Sequence, residues 1–301
     1  MTTYFGYVAI TGKPNVGKST LLNQWIGKQL AITTAKPQTT RHQILGVKTD
    51  QAHQLALLDT PGLQAGPKPK LNQYLNKVAV LSYHEANLIL FLTKAGSWQL
   101  EDQKTLMHLV SLNKPIIWVI NQIDRIDEIA LEQYLLKYNH KKFQKVLPIS
   151  AKKKVGLSDL LETVKFFLPE GTHQFSPDQI SNRPESFHAE EGIREACLFY
   201  LSEEIPYQIH ITLTSPIEKN AKGWHIQANI HVQKTKHRSM VIGHQGQMIK
   251  TIGIRSRKKL SQYFNQPVHL KLMVHVDTNP LPNHFVHQSL SPGFPDIVDH
   301  D

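Results

Sequence analysis

The chain has 301 residues, of which 40% are apolar and 19% charged, so it is long enough for two domains and too apolar for a disordered protein. Its 34 Lys and Arg residues outnumber 24 Asp and Glu, and its single cysteine, Cys197, excludes an internal disulfide and a multi-cysteine metal site. Its apolar runs are far shorter than the ~20 residues of a membrane span, and its first residues do not resemble a secretory signal, so the sequence predicts a cytoplasmic protein.

Short apolar strands alternate with helical patterns over residues 1–170, the first predicted domain. Strands are predicted at 7–11, 54–59, 88–93, 115–121 and 145–150, and helices between them at 19–27, 102–112 and 129–138. This alternation predicts an α/β fold with a mainly parallel sheet that is covered on both faces. Ligands of such sheets bind at the carboxyl ends of the strands.

The segment GKPNVGKS, Gly12 to Ser19, follows the first predicted strand and opens a helix, as a phosphate-binding loop does. Its glycines let successive N–H groups face phosphates, while Lys18 can reach the outer phosphates and Ser19 can ligate Mg²⁺. A glycine-rich turn without a ligand is the structural alternative, and the motif does not choose between adenine and guanine. The predicted nucleotide contacts of this loop are Asn15, Val16, Gly17, Lys18, Ser19 and Thr20.

Three further strand ends carry residues that suit a guanine nucleotide, although each pattern is weak alone. In DTPG, Asp59 can hold Mg²⁺ through water, and Gly62 can donate an N–H group to the terminal phosphate. In NQID, Asn121 can brace the phosphate loop, and Asp124 can accept from guanine N1 and its exocyclic amine, a donor pattern that adenine lacks. The last strand ends at a loop that can offer an N–H group to guanine O6, formed by Ser150, Ala151 and Lys152.

The polar segment 169–185 contains three prolines, and residues 171–185 of it are predicted to be a linker. Residues 186–277 are predicted to form a smaller α+β domain, with a helix near 189–203, strands near 207–214 and 224–234, a helix at 247–264 and a strand at 267–276. Residues 278–301 are predicted to form a loosely ordered tail.

The second predicted domain contains a GxxG loop, which can clamp a nucleic-acid backbone between two helices. A simple turn between helices is the alternative, but the 58 residues from Lys219 to Val276 contain 11 basic and no acidic side chains, which favours a polyanionic partner. The histidines His225, His231, His237, His269 and His275 are assigned to alternating strand faces and predict no metal-ligand set. The predicted RNA contacts are Gly243, His244, Gln245, Gly246, Lys250, Arg255, Lys258 and Lys259.

The motifs GKPNVGKST, KPQTTRHQILG, DTPGL, NQID, SAK and VIGHQGQMIKTIG together resemble the Era family of bacterial ribosome-assembly GTPases, from about Phe5 to Val276. The resemblance implies a P-loop GTPase domain followed by a type II KH domain. It also implies a first switch at Lys36 to Gly46, where Thr40 or Thr39 closes onto Mg²⁺ and the terminal phosphate; plain strand-entry hydroxyls are the alternative. The implied catalytic residues are Lys18, Thr40 and Gly62, and the implied Mg²⁺ ligands are Ser19, Thr40 and Asp59.

The resemblance further implies a cytoplasmic GTP-hydrolysing switch that binds 16S rRNA near its 3′ end and assists assembly of the 30S subunit. Nothing in the sequence demands more than a monomer. Two alternatives stay open. One is a constitutive RNA-binding protein whose nucleotide is structural. The other is a regulatory GTPase at the cytoplasmic face of the inner membrane, with the basic surface on lipid headgroups.

Four positions bear on mechanism within that resemblance. Leu63 stands where many GTPases place the glutamine that orients water, which predicts slow intrinsic turnover. Asn15 matches the asparagine that holds K⁺ in related GTPases and predicts stimulation by K⁺. Gln122 replaces the usual lysine and predicts modestly weaker base binding, with specificity kept by Asp124. Gln245 replaces a frequent lysine and predicts an RNA salt dependence shallower by about one unit.

Overall fold

The computed structural model describes residues 2–34, 44–59, 79–138, 140–202 and 204–277. Its contacts divide the described residues into two compact units. The first contains 2–31, 44–59, 79–138 and 140–182, and the second contains 32–34, 183–202 and 204–277. The predicted residues Thr39, Thr40, Gly62 and Leu63 and the tail at 278–301 lie outside the described residues.

Among the described residues, the first unit contains a six-stranded sheet in the order β2-β3-β1-β4-β5-β6. Its pairs are parallel, except that β2 runs antiparallel to β3. The strands are β1 (Tyr4–Gly12), β2 (Ile44–Thr49), β3 (His53–Asp59), β4 (Leu88–Lys94), β5 (Ile116–Asn121) and β6 (Lys145–Pro148). The helices are α1 (Lys18–Ile26), α2 (described over 79–85), α3 (Leu100–Ser111), α4 (Glu128–Lys137) and α5 (Leu157–Phe166).

The central strands are buried almost throughout, as expected for a parallel sheet with helices on both faces. In the sheet, β2 and β3 lie on one side of β1, and β4, β5 and β6 lie on the other side, so the strand order reverses at β1. This reversal opens a crevice at the carboxyl end of β1, which is where ligands of such sheets bind. The predicted α/β fold with a mainly parallel sheet is confirmed, whereas the antiparallel edge strand β2 was not predicted.

Much of the predicted linker is folded onto the first unit. The Gly171 N–H donates to the carbonyl of Thr3 at 2.9 Å, and the Val47 N–H of edge strand β2 donates to the carbonyl of Ile180 at 2.9 Å. Gln54 accepts at its side-chain oxygen from the Phe175 N–H, also at 2.9 Å. Because an edge strand presents unpaired backbone groups, a polar segment can pair with it as readily as with water. Residues 171–182 therefore belong to the first unit.

The second unit packs helices against one face of a smaller sheet. Its strands follow the order β10-β9-β7, with β8 paired to β9; β9 and β10 are parallel, and β7 and β9 are antiparallel. The strands are β7 (His210–Leu213), β8 (Glu218–Asn220), β9 (Gly223–Val232) and β10 (Val268–Val276). The helices are α6 (Glu185–Tyr200), α7 (Ile205–Gln208), α8 (Thr235–Ile242) and α9 (Gln247–Phe264).

Two sequence predictions for this unit were wrong at their boundaries. The strand expected from 207 begins only at His210, because Pro206 lies in the first turn of α7 and its fixed φ suits a helix start. The helix expected at 189–203 spans Glu185–Tyr200 and begins directly after Pro184.

The sheet of the second unit has a buried face and an open face. Ile226, Ala228, Ile230 and Val232 alternate along β9 and are at most 2% exposed, in one core with residues of α6 and α9. The intervening residues of β9 therefore face away from that core. No helix in the described part of the chain is long and apolar enough to cross a membrane.

Candidate nucleotide and nucleic-acid sites

The phosphate loop is held against the ends of β4 and β5. Gly12 has φ 141°, and a Cβ there would lie 2.2 Å from the carbonyl oxygen of Leu92. Gly17 has φ 104°, and a Cβ there would lie 2.2 Å from Nδ2 of Asn121. That Nδ2 atom donates to the carbonyl of Val16 at 2.7 Å. Both glycines are therefore required by conformation and by close approach.

Lys18 is folded back into this loop. Its Nζ donates to the carbonyls of Gly12 at 2.9 Å and Lys13 at 3.0 Å. Burial lowers the pKa of Lys18 to about 8, and the carboxylate of Asp59 opposes that shift. A buried ammonium beside backbone N–H groups and a helix start is an environment that favours a bound polyphosphate.

Ser19 and Asp59 form a donor set that suits Mg²⁺. The Ser19 hydroxyl donates to Oδ2 of Asp59 at 2.7 Å, and the Asp59 side chain is fully buried. Its Oδ1 has no hydrogen-bond partner among the described residues, and burial raises the pKa of Asp59. A hydroxyl and a carboxylate are hard oxygen ligands, and a carboxylate oxygen left without a partner at the end of β3 fits a hydrated Mg²⁺.

Asn121 connects the phosphate loop to the last strand-end loop. Its Oδ1 accepts from the backbone N–H groups of Gln122 at 2.8 Å and Ala151 at 2.9 Å. Gln122 has φ 68°, and its Nε2 donates to the carbonyl of Asn15 at 2.9 Å. The glutamine that replaces the usual lysine therefore also braces the phosphate loop, a contact that sequence reasoning missed.

Asp124 is oriented by Ser150. The Ser150 hydroxyl donates to Oδ1 of Asp124 at 2.5 Å, and this hydrogen bond lowers the pKa of Asp124. The same hydroxyl accepts from the Lys153 N–H at 3.2 Å. Ser150 thus orients the Asp124 carboxylate, whereas the sequence analysis assigned it only to a loop that contacts the nucleotide. Lys152 is exposed on the adjacent turn.

An ion pair that sequence reasoning missed holds the outer side of the phosphate loop. Nζ of Lys13 lies 2.9 Å from Oδ2 of Asp102 and 2.6 Å from Oε1 of Gln99. Asp102 also accepts from the Gln99 N–H at 2.8 Å as part of the capping box of α3. The spacing of Gln99 and Asp102 was the available signal, because it marks a helix start.

The GxxG loop connects α8 to α9 in the second unit. Gly243 has φ 74°, and a Cβ there would lie 2.6 Å from the Cβ of Met248. Gly246 has φ 77° but open space around it, so conformation alone requires a glycine there. His244 and Gln245 between them are exposed, and Gln245 has φ 48°. The loop places exposed polar groups directly before the N-terminus of an 18-residue helix, which favours anionic ligands.

The four basic residues predicted on α9 divide into two sets. Lys250 and Lys258 are exposed to solvent. Arg255 lies over the ring of Phe199 with its guanidinium carbon 3.7 Å from the ring centre, and Lys259 forms an ion pair with Glu195. Helical spacing turns residues 255 and 259 toward α6, so their charges are engaged within the unit.

Comparisons with known proteins agree with both sites. The model of the family described as "50S ribosome-binding GTPase" matches residues 7–122, and a KH domain model matches residues 204–281. GTPase Era of Yersinia enterocolitica is 37% identical over 276 residues, which cover 91% of each chain. The chain belongs to the Era family.

Solved structures of Era extend that conclusion to three dimensions. Era of Aquifex aeolicus, a point variant bound to GDP and AlF₄⁻, has a TM-score of 0.86 at 35% identity and covers 95% of this chain and 99% of its own. A complex of Era with MgGDPNP and nucleotides 1506–1542 of 16S ribosomal RNA has a TM-score of 0.84 at 35% identity, covering 95% and 98%. This Era-family chain is therefore a GTPase, with a KH domain after its P-loop GTPase domain.

Proposed function

We propose that this GTPase binds the 3′ region of 16S rRNA through its second unit, that the bound nucleotide sets the RNA affinity, and that the cycle assists assembly of the 30S subunit in the cytoplasm. One observation carries the proposal. The same chain combines a nucleotide site, in which Ser19 lies beside the buried Lys18 and Asp59, with an exposed GxxG turn in a segment that has no carboxylate between Lys219 and Val276. Era in complex with MgGDPNP and 16S rRNA nucleotides supports the same pairing of ligands.

In the nucleotide site, Lys18 neutralises the outer phosphates, and Asp124 with the adjacent loop recognises guanine. Asn15, Val16, Gly17 and Thr20 surround the phosphates. Ser19, Asp59 and Thr40 hold Mg²⁺, which supplies positive charge to the phosphate oxygens when bound. The Ala151 N–H already donates to Asn121, so its part is to support the loop.

Hydrolysis is in-line attack of water on the γ-phosphate, with Gly62 donating an N–H group to that phosphate. Leu63 offers water no hydrogen bond, so intrinsic turnover is slow. Asn15 binds K⁺ in this proposal; equal GTPase rates in K⁺ and Na⁺ would contradict that assignment.

In the second unit, the proposed RNA contacts are the predicted residues that are exposed or belong to the GxxG turn: Gly243, His244, Gln245, Gly246, Lys250 and Lys258. Arg257 is also exposed on α9 and belongs with them. We assign Arg255 and Lys259 to the fold of the unit because both contact α6. We assign residues 1–182 to the GTPase domain, which adds 171–182 to the predicted domain 1–170, and residues 186–277 to the RNA-binding domain.

The test is binding of a short single-stranded RNA that copies the 16S 3′ end, against a scrambled RNA of equal composition. Each is measured with GDP and with a non-hydrolysable GTP analogue. We expect tighter, sequence-dependent binding in the GTP state, because a switch requires RNA and GTP to favour the same conformation. Equal affinity in both nucleotide states would instead identify a constitutive RNA-binding protein.

Peripheral membrane association is tested with the same protein and vesicles containing anionic lipid. The carboxylate-free segment supplies electrostatic attraction to any polyanion, which weakens with salt. Vesicle binding that survives an excess of the specific RNA would add a membrane role. Loss of vesicle binding under RNA competition would assign the basic surface to RNA.

A further inference from the structure

A cluster of potential metal ligands lies on the open face of the sheet in the second unit. His210 of β7, His231 of β9 and Asp277 just after β10 each offer one ligand atom, and these atoms lie within 4.8 Å of one another. The His210 and His231 rings are stacked with centroids 4.2 Å apart, and Nδ1 of His231 lies 4.0 Å from Oδ2 of Asp277.

Strand register produces this cluster. His210 pairs with His231 across the antiparallel β7–β9 ladder, and His231 pairs with His275 across the parallel β9–β10 ladder. Paired residues of adjacent strands point to the same face, so the three histidines form a row. Asp277 follows His275 by two residues, and its N–H donates to the carbonyl of Val232 at 2.8 Å. That hydrogen bond continues the ladder beyond β10 and keeps Asp277 beside the row.

The sequence interpretation of these histidines was wrong. It placed the histidines on alternating strand faces, but His225 and His231 are six residues apart on β9, and His269 and His275 are six apart on β10. An even spacing keeps each pair on one face of a strand. His237 differs, because it is buried on α8.

The two ring nitrogens of His231 have different neighbours. Its Nε2 lies 2.8 Å from the hydroxyl of Thr212, which leaves Nδ1 toward Asp277. Metal-binding histidines usually hydrogen-bond through the nitrogen that does not ligate, and this fixes the ring orientation and the tautomer. Burial lowers the pKa of His231, and the carboxylate of Asp277 opposes that shift.

We propose that His210, His231 and Asp277 bind a divalent transition-metal ion, with Zn²⁺ as the best match and water as the fourth ligand. Imidazole and carboxylate are standard zinc ligands in tetrahedral sites. Bond lengths of about 2.0–2.1 Å bring ligand atoms to roughly 3.4 Å from one another, so binding draws the ligand atoms together from within 4.8 Å and turns the stacked His210 and His231 rings toward one point. The ion ties β7, β9 and the end of β10 together, and this inference is independent of the proposed nucleotide switch.

The structure offers a matched control for this site. His269 lies on the same strand and face as His275 and stacks on His225 with ring centroids 4.7 Å apart. This second histidine pair is not part of the metal-ligand group found among the described residues. Cys197, the single cysteine of the chain, is fully buried and does not compete for zinc.

The test is a titration of the metal-free full-length chain with Zn²⁺ as the only added transition metal. A chromophoric chelator competes for the ion and reports the affinity, and saturating MgGDP occupies the nucleotide site. We expect one Zn²⁺ per chain at micromolar protein, and a visible Co²⁺ spectrum typical of tetrahedral coordination. His231→Ala and Asp277→Asn each weaken binding by more than about 100-fold, Thr212→Val by about 10-fold, and His269→Ala leaves it unchanged.

Three results would overturn the proposal: no zinc uptake by the wild-type chain, unchanged affinity in both His231→Ala and Asp277→Asn, or an equal loss in His269→Ala. Urea unfolding in chelator checks that the variants fold. Asp277 is 36% exposed and Asn is close in size, so Asp277→Asn decides the matter even where His231→Ala is unstable.

Discussion

Gly17 is the residue at which the phosphate loop meets Asn121, and a substitution there tests that contact. A Cβ would lie 2.2 Å from Nδ2 of Asn121, whose Oδ1 holds the Ala151 N–H. We expect Gly17→Ala to displace the amide and to lower GDP affinity roughly ten- to hundredfold, because buried hydrogen bonds on both loops are lost. Titration with a fluorescent GDP analogue measures the change.

Gly27 supplies the matched control for this prediction. It also has a positive φ, 75°, but nothing lies within 4 Å of the Cβ that it would gain. Gly27→Ala should cost about 1 kcal/mol of stability through backbone strain and leave GDP affinity unchanged. An equal loss of affinity in both variants would mean that backbone strain, and not the contact with Asn121, governs the site.

Asp124 is expected to select guanine through its carboxylate. Asp124→Asn replaces an acceptor with a donor, so nucleotide preference should shift from GDP to xanthosine diphosphate in competition binding. Asp127→Asn is the control, since Asp127 only caps α4 through a 2.7 Å hydrogen bond from the Ala130 N–H, and Asn caps as well as Asp. Retained guanine preference in Asp124→Asn would refute the assignment.

Glu190 of α6 makes the stability of the second unit depend on pH. Burial raises the pKa of Glu190 to about 7 from its ordinary value of about 4.5, although a hydrogen bond from the Leu213 N–H opposes that shift. The folded chain therefore binds more protons than the unfolded chain between these values, and stability falls as pH rises through this window.

Glu190→Gln should accordingly stabilise the second unit by roughly 1–3 kcal/mol at pH 8 and have little effect at pH 4.5. Urea unfolding at both pH values measures the difference. Glu185→Gln, an exposed change at the start of the same helix, is the control. A pH-independent effect of Glu190→Gln would show that the carboxyl is not desolvated.

At the scale of elements, α9 places neighbouring lysines in different environments. Lys258→Ala should weaken RNA binding and lower the slope of log affinity against log salt by about one, with stability unchanged, because Lys258 is exposed. Lys259→Ala removes the ion pair between Lys259 and the buried Glu195 and should lower stability by about 3 kcal/mol. Salt-dependent RNA titration and urea unfolding of both variants separate the RNA-binding role of Lys258 from the structural role of Lys259. A larger change of the salt slope in Lys259→Ala than in Lys258→Ala would contradict this assignment.

Helical periodicity located α9 at its observed bounds, Gln247–Phe264, and alternating strands and helices located most of the first unit. These elements are predictable because burial repeats with the period of the local structure. β2 and α7 were missed for different reasons. β2 pairs with β3 in a hairpin and begins inside the segment from Lys36 to Gly46 that had been assigned to the first switch, whereas α7 is a single turn of helix whose strand-like residues gave no helical period.

At the scale of the whole molecule, the chain contains two units, each with its own buried core. Because GDP binds the first unit, MgGDP at 100 times its Kd should stabilise the unfolding transition of that unit by about 2.7 kcal/mol and leave the other transition unchanged. Urea unfolding followed by a nucleotide fluorophore and by far-UV circular dichroism measures both. One transition that shifts as a whole would show that the units unfold together.

Sequence patterns were enough to predict the family, the two folds, the phosphate loop and the strand ends that surround it. Such motifs are local: successive backbone N–H groups, a helix start and one or two side chains lie within eight residues of each other, and strand order then brings them to one edge. Asp59, Asn121 and Asp124 could therefore be selected before any contact was known.

The contacts between side chains of different helices and strands could be found only from the tertiary structure. Ser150 bonds to Asp124, Lys259 to Glu195, and His210 stacks on His231. Residues 171–182 likewise lie on the first unit. The physical reason is that strand register and helix rotation are set by burial of the whole core, and a shift of one residue would turn each of these side chains to another face.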